Sequence, residues 1–148
     1  MKLARGQADQ VVTHALGSCL GVSAYDPLSK VGGLLHVMMP VSSANPDKAR
    51  SNPYMFVDTG IPAFFAAMVA AGAERRRLRV KIAGGAAINS NDHFAIGRKN
   101  CIAMKSVLWK AGVLIEAQDV GGSAARTMCL DLSDGRVIVS NAGKQWLL

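Results

Sequence analysis

The chain has 148 residues, half of them hydrophobic, with 17 Lys and Arg against 10 Asp and Glu for a formal charge of +7. That length suits one domain over residues 1–148, able to bury about 70% of the surface its unfolded form exposes. The longest apolar helical run, residues 61–73, falls short of the roughly 20 residues that span a bilayer, and no apolar block follows the basic start Met1-Lys2-Leu3-Ala4-Arg5, so neither a membrane span nor a secretion signal is expected.

Residues 10–16 carry the β-branched Val11, Val12 and Thr13 and predict a first strand that delivers Thr13 towards the next element. Residues 20–25 and 31–39 are apolar runs separated by Asp26-Pro27-Leu28-Ser29-Lys30, the pattern of strand, turn, strand. A loop centred on Pro27 and Leu28 pairs residues whose numbers sum to 55. Cys19 then lies directly opposite His36 on one sheet face, with Cβ atoms about 5 Å apart. A loop one residue longer would move His36 to the other face. In the first register the thiol and the imidazole can exchange a proton, and a histidine-paired thiol is expected to ionise below about 8.5. Gly17 can turn the chain sharply and, with Ser18 and Leu20, leave peptide N–H groups beside the nucleophile, as an oxyanion hole requires. The same spacing also fits a buried cysteine and a satisfied core histidine.

Residues 41–52, rich in Ser, Asn and Pro, predict an exposed loop, either a connector or a gate for substrate. Asn52 and Pro53 fit a helix start, with Pro62 either kinking that helix or moving its start to near Thr59, and Gly72 ending it. The cluster Arg75-Arg76-Arg77 with Arg79 is explained either by capping of the preceding helix dipole or by attraction of an acidic partner. Residues 78–83 predict a buried strand ending in Gly84-Gly85-Ala86; with no Gly-Lys-Ser/Thr to follow, close backbone packing accounts for the pair better than a phosphate loop. Residues 89–93 predict a polar loop with an inert His93, and residues 96–111 an amphipathic helix ended by Gly112. Three strands are expected over residues 113–120, 127–132 and 136–140, the last two joined through Ser133-Asp134-Gly135, followed by a short tail over residues 141–148. Cys101 is assigned a structural role and Cys129 a buried one. Three cysteines without a Cys-x-x-Cys pair argue against a disulfide framework or a zinc site and fit a reducing, cytoplasmic compartment. About seven strands against two helices, without strict alternation, make the fold class α+β.

Several of these segments together resemble the CheD family of chemoreceptor glutamine deamidases. The resemblance rests on Thr13 followed by Gly17-Ser18-Cys19, on His36 seventeen residues later, and on Lys81-Ile82-Ala83-Gly84-Gly85-Ala86, Ile96-Gly97-Arg98-Lys99-Asn100, Asp119-Val120-Gly121-Gly122, Arg126 and Asp134-Gly135. It covers most of residues 11–140. It departs where the family commonly has Gly and this chain has Ala15, and where His14 takes an aliphatic place. The resemblance implies a mixed β-sandwich core flanked by two main helices, similar to toxin-type glutamine-deamidating cysteine hydrolases. It implies Cys19 as nucleophile, His36 as base and Thr13 as its partner, with no metal or cofactor. The substrates it implies are glutamines on the cytoplasmic helices of chemoreceptors, and the partner is the CheC phosphatase. The same acyl chemistry would serve a receptor glutamate methylesterase. A non-catalytic chemotaxis adaptor is a second alternative, and a nucleic-acid binder, supported only by the charge, is a third.

Overall fold

Two β-sheets stack face to face, and two helices cover the outer side of the larger one. The description comes from a computed structural model and covers residues 1–6, 10–88 and 95–148. In chain order the elements are β1 (Lys2–Arg5), β2 (Gln10–Leu16), β3 (Leu20–Asp26), β4 (Val31–Val37), α1 (Pro46–Ser51), α2 (Val57–Ala70), β5 (Arg79–Gly84), α3 (Ile96–Lys110), β6 (Ile115–Val120), β7 (Arg126–Asp131), β8 (Val137–Asn141) and β9 (Lys144–Leu147). The larger sheet has the order β1-β4-β3-β5-β6, parallel only between β5 and β6, and the smaller has the order β2-β7-β8-β9. The α+β class expected from the sequence is what the structure has.

β3 and β4 are buried along nearly their whole length because both faces of their sheet are covered. Leu20, Val22, Ala24, Val31, Leu35 and Val37 face the helices and pack with Ile61, Phe64 and Met68 of α2 and Met104 and Leu108 of α3. The alternate residues point the other way, as the pleat requires. There Tyr25 and Leu34 join Val11 and Leu16 of β2, Met128 and Leu130 of β7 and Val139 of β8 in a second cluster between the sheets.

The hairpin forms, but in a different register from the one expected. Asp26 pairs with Val31 and Gly21 with His36, so partners sum to 57, and Cys19 is not directly opposite His36. The reason is Asp26, which belongs to the strand and not to the turn. Its fully buried carboxylate accepts from Arg77 at 2.9 and 2.7 Å and from the backbone N–H groups of Leu28 and Glu74 at 3.0 and 2.8 Å. The turn is thereby displaced to residues 27–30 and closed by Lys30 at φ 54°. An offset of two residues, unlike an offset of one, returns every side chain to its original face.

Residues 41–52 are not a plain loop, since Asn45 caps α1 by accepting from the Lys48 N–H at 3.0 Å, with Pro46 at the first helical position. The Asn52 side chain caps nothing; residues 53–55 form a single 3-10 turn, and α2 starts at Val57. Pro62 sits early in α2, where it forfeits one hydrogen bond without ending the helix. Two short strands, β1 and β9, appear where no strand and a tail were expected; both pair at sheet edges. The arginine cluster is engaged internally: Arg75 donates to the Ala111 carbonyl at the end of α3, Arg77 holds Asp26 and Glu74, and Arg79 holds Glu116. The loop expected at residues 89–93, with His93, lies outside the described residues.

Candidate active site

β2 crosses the end of the hairpin from the second sheet and places Thr13 over it. The hydroxyl of Thr13 lies 2.9 Å from Nδ1 of His36. This approach needs Gly21, the residue paired with His36, to lack a side chain. A Cβ there would stand 2.8 Å from Leu16, 3.1 Å from the Met128 sulfur and 3.3 Å from the Thr13 methyl group. Between Thr13 and Leu16 the ladder of β2 with β7 slips, and Ala15 adopts φ 56° in that irregularity. A left-handed conformation costs an L-residue roughly 1–2 kcal/mol. His14 points to the other side of β2, 3.3 Å from the Thr127 hydroxyl and away from His36.

Cys19 is half-buried and immediately precedes β3. The β3–β4 ladder begins just after it, at Leu20 opposite Val37, and extending the alternation of β3 by one residue sets the Cys19 position, two before Gly21, on the face of Gly21 and His36. Nε2 of His36 is buried and has no partner among the described residues.

Burial pushes the Cys19 thiol above its ordinary value, against a smaller lowering by its own backbone N–H. Burial also pushes the His36 imidazole below its ordinary value, and the nearby amino terminus acts in the same direction. Both shifts favour the neutral pair of thiol and imidazole.

The backbone around Cys19 is held from three sides. Gly85 N–H donates to the Cys19 carbonyl and Ala86 N–H to the Gly17 carbonyl, both at 2.8 Å. The paired glycines serve close packing, as expected from the sequence: Gly84 has φ 111°, and a Cβ on it would run into the Cys19 carbonyl oxygen. Asn100 of α3, fully buried, donates through Nδ2 to the carbonyls of Ser18 and Met38 at 2.9 Å each, tying the start of β3 to the end of β4. Its Oδ1 has no partner among the described residues. The Gly17 N–H donates to the Ala15 carbonyl at 2.9 Å and is not free to serve an oxyanion. Leu20 is laddered between Val37 and Gly84, while no backbone acceptor takes the N–H groups of Ser18 and Cys19 among the described residues.

Of the residues singled out in the sequence, Thr13 and His36 are in contact, Cys19 shares their face, and Ser18 is anchored by its carbonyl. Cys101 packs against Gly85, and burial raises its thiol. Cys129 is not buried as expected. It points out of the second sheet because its neighbours Met128 and Leu130 occupy the inner face, and its sulfur lies 3.7 Å from Gln10 Oε1. Gly21 and Asn100 are the contributors that spacing alone does not reveal. The sequence signal for Asn100 is a lone amide on the apolar stripe with Met104 and Leu108.

A thiol and a neutral imidazole on one face, with the imidazole oriented by a hydroxyl, can transfer a proton and attack an acyl carbon. The comparisons with known proteins agree with that chemistry. The sequence profile described as "CheD chemotactic sensory transduction" matches residues 38–141. A protein of Solibacter usitatus named "Probable chemoreceptor glutamine deamidase CheD" is 46% identical over 136 residues, covering 91% of this chain and 80% of that protein. A protein of Syntrophus aciditrophicus, "Probable chemoreceptor glutamine deamidase CheD 1", is 45% identical over 143 residues, covering 96% and 89%. One from Methanococcus maripaludis with the same name as the first is 40% identical over 136 residues, covering 90% and 86%. The chain belongs to the CheD family.

Proposed function

We propose that this chain is a cysteine hydrolase that converts glutamine side chains of chemoreceptors to glutamate and releases ammonia. The observation that carries this reading is the contact of Thr13 with Nδ1 of His36, which leaves Nε2 buried and unpaired on the face of Cys19. Thr13 orients the ring. Nε2 takes the proton of the Cys19 thiol as sulfur attacks the amide carbon, and the N–H groups of Ser18 and Cys19 receive the developing oxyanion. The imidazolium gives its proton to the departing nitrogen, and ammonia leaves a thioester. Water, deprotonated by the same nitrogen, hydrolyses the thioester and restores thiol and imidazole.

Asn100 and Gly21 act by position: the first holds the two strand ends that carry Cys19 and His36, the second lets Thr13 reach the ring. Residues 1–148 work as one domain, a reading supported by the two clusters of side chains that share the five-stranded sheet. Among the described residues no helix is long and apolar enough to cross a membrane. A substrate on the cytoplasmic helices of receptors places the enzyme in the cytoplasm, where the CheC phosphatase is its proposed regulatory partner. The test is a mass increase of about 1 Da at glutamine in a co-expressed receptor fragment, the signature of an amide becoming an acid.

A further inference from the structure

We propose that the flank of α3 facing away from α2 is the substrate-docking surface, and that it takes an acidic amphipathic helix laid along α3 with its glutamine brought to Cys19. The proposal deepens the deamidase reading and rests on it for the identity of the partner.

Three stripes divide α3. Gly97, Asn100, Met104 and Leu108 are buried against the sheet. Val107, Lys110 and Ala111 line a groove against α2. Arg98, Ile102, Lys105 and Trp109 recur at spacings of four, three and four residues and so share the third stripe. All four are exposed, Ile102 being 59% and Trp109 83% accessible. Isolated exposed apolar residues are ordinary, but a tryptophan in line with an isoleucine on one basic stripe forms a patch of the kind that marks an interaction site.

Charge says what covers it. α3 carries Arg98, Lys99, Lys105 and Lys110 and no acidic residue. None of the four forms an ion pair among the described residues, whereas Arg76, Arg77 and Arg79 all do. Basic and apolar side chains alternating along one stripe complement a helix whose own face alternates acidic and apolar residues. From Arg98 to Trp109 the stripe rises about 16 Å, three turns, which matches a partner of the same periodicity and not an extended peptide.

The first turn of α3, from which the exposed stripe starts, packs on the site through its buried side. Gly97, in the first turn, packs so closely that a Cβ would lie 2.6 and 2.7 Å from the carbonyl oxygens of Gly85 and Ala86. Those two residues donate to the carbonyls of Cys19 and Gly17, and Asn100 donates to Ser18. Arg98 adjoins Gly97 in the same turn, so a helix seated on the stripe has its end at the turn of α3 that packs on the loop carrying Cys19.

The test compares wild type with the double variant Lys105→Glu, Trp109→Ser, whose substitutions are both at exposed positions, on a purified chemoreceptor cytoplasmic fragment. The expected result is a KM at least about tenfold higher with kcat within about twofold, and a salt dependence of KM that is weaker in the variant. Binding is measured separately in the Cys19→Ala background, where the charge and tryptophan changes are expected to weaken Kd by the same factor. Unchanged KM and Kd overturn the proposal, and so does failure of the fragment to bind Cys19→Ala protein. If the fragment binds and the double variant abolishes binding while wild type produces no glutamate, the docking surface stands and the deamidase reading falls. Loss of binding only to vesicles of phosphatidylglycerol and phosphatidylcholine, with full affinity for the fragment, makes the stripe a membrane contact and overturns the proposal.

Discussion

Thr13 Oγ1 and His36 Nδ1 stand 2.9 Å apart, joining the second sheet to the end of β4. The contact is between elements that the chain separates by a whole strand, and it occupies Nδ1 while Nε2 has no partner among the described residues. Replacing Thr13 by Val keeps the shape and removes the hydrogen bond, whose loss is worth about 0.5–1.5 kcal/mol. The expected fall in kcat is about two- to tenfold with little change in Tm, and Thr13→Ser is expected to retain more of the rate. Steady-state kinetics of the two variants check this; a Thr13→Val enzyme as fast as wild type would reduce the site to Cys19 and His36.

Asn100 makes a prediction of opposite emphasis, because it supports both strands. Asn100→Ala removes the donor to the carbonyl oxygens of Ser18 and Met38, at up to about 1–3 kcal/mol for each that water does not then reach. Asn100→Asp is expected to be worse at neutral pH, since a carboxylate cannot donate to either carbonyl, and to recover stability as acid protonates it. Urea titrations at two pH values distinguish them. Equal stability of the Asp variant at both would mean that the amide does not hold these strands.

Ala15 is a residue in a glycine's conformation, at φ 56°. Ala15→Gly relieves the left-handed penalty and gives back part of it as chain entropy, for a net gain of about 0.5–1 kcal/mol. A rise in Tm of about 1–4 °C with unchanged activity is the expected outcome. A fall in Tm would show that the bend is unstrained.

Burial disfavours both ions of the dyad, raising the Cys19 thiol and lowering the His36 imidazolium. Alkylation of Cys19 in the free protein is therefore expected to be slow at neutral pH and to rise only above the ordinary thiol range, with no plateau on the acid side. The His36 shift also carries a stability sign: between its lowered folded value and about 6.5 the unfolded chain binds the extra proton, so stability falls as pH drops through that window. A thiolate that alkylates at full rate near pH 6 would contradict the neutral pair.

How much of this was legible in the sequence follows from how local each signal is. The β3–β4 hairpin, β5, α3 and the β7–β8 pair show as apolar runs with turn residues between them, and they are present. β1 and β9 are four-residue edge strands with little burial, so no periodicity announces them. The register of the hairpin depended on Asp26, a usual turn residue, being held in the strand by Arg77 far along the chain. That Cys19 and His36 nonetheless share a face is a consequence of an even offset. Asn100 and Gly21 matter through contacts across elements, which spacing cannot show.

Mass spectrometry of a chemoreceptor cytoplasmic fragment co-expressed with wild type or with Cys19→Ala separates a cysteine deamidase from a binder. Wild type is expected to add about 1 Da at defined glutamines, each then read as glutamate by fragmentation, and Cys19→Ala, still folded, to leave every one of them as amide. Unmodified glutamines with wild type, or the same conversion with Cys19→Ala, would contradict the deamidase reading.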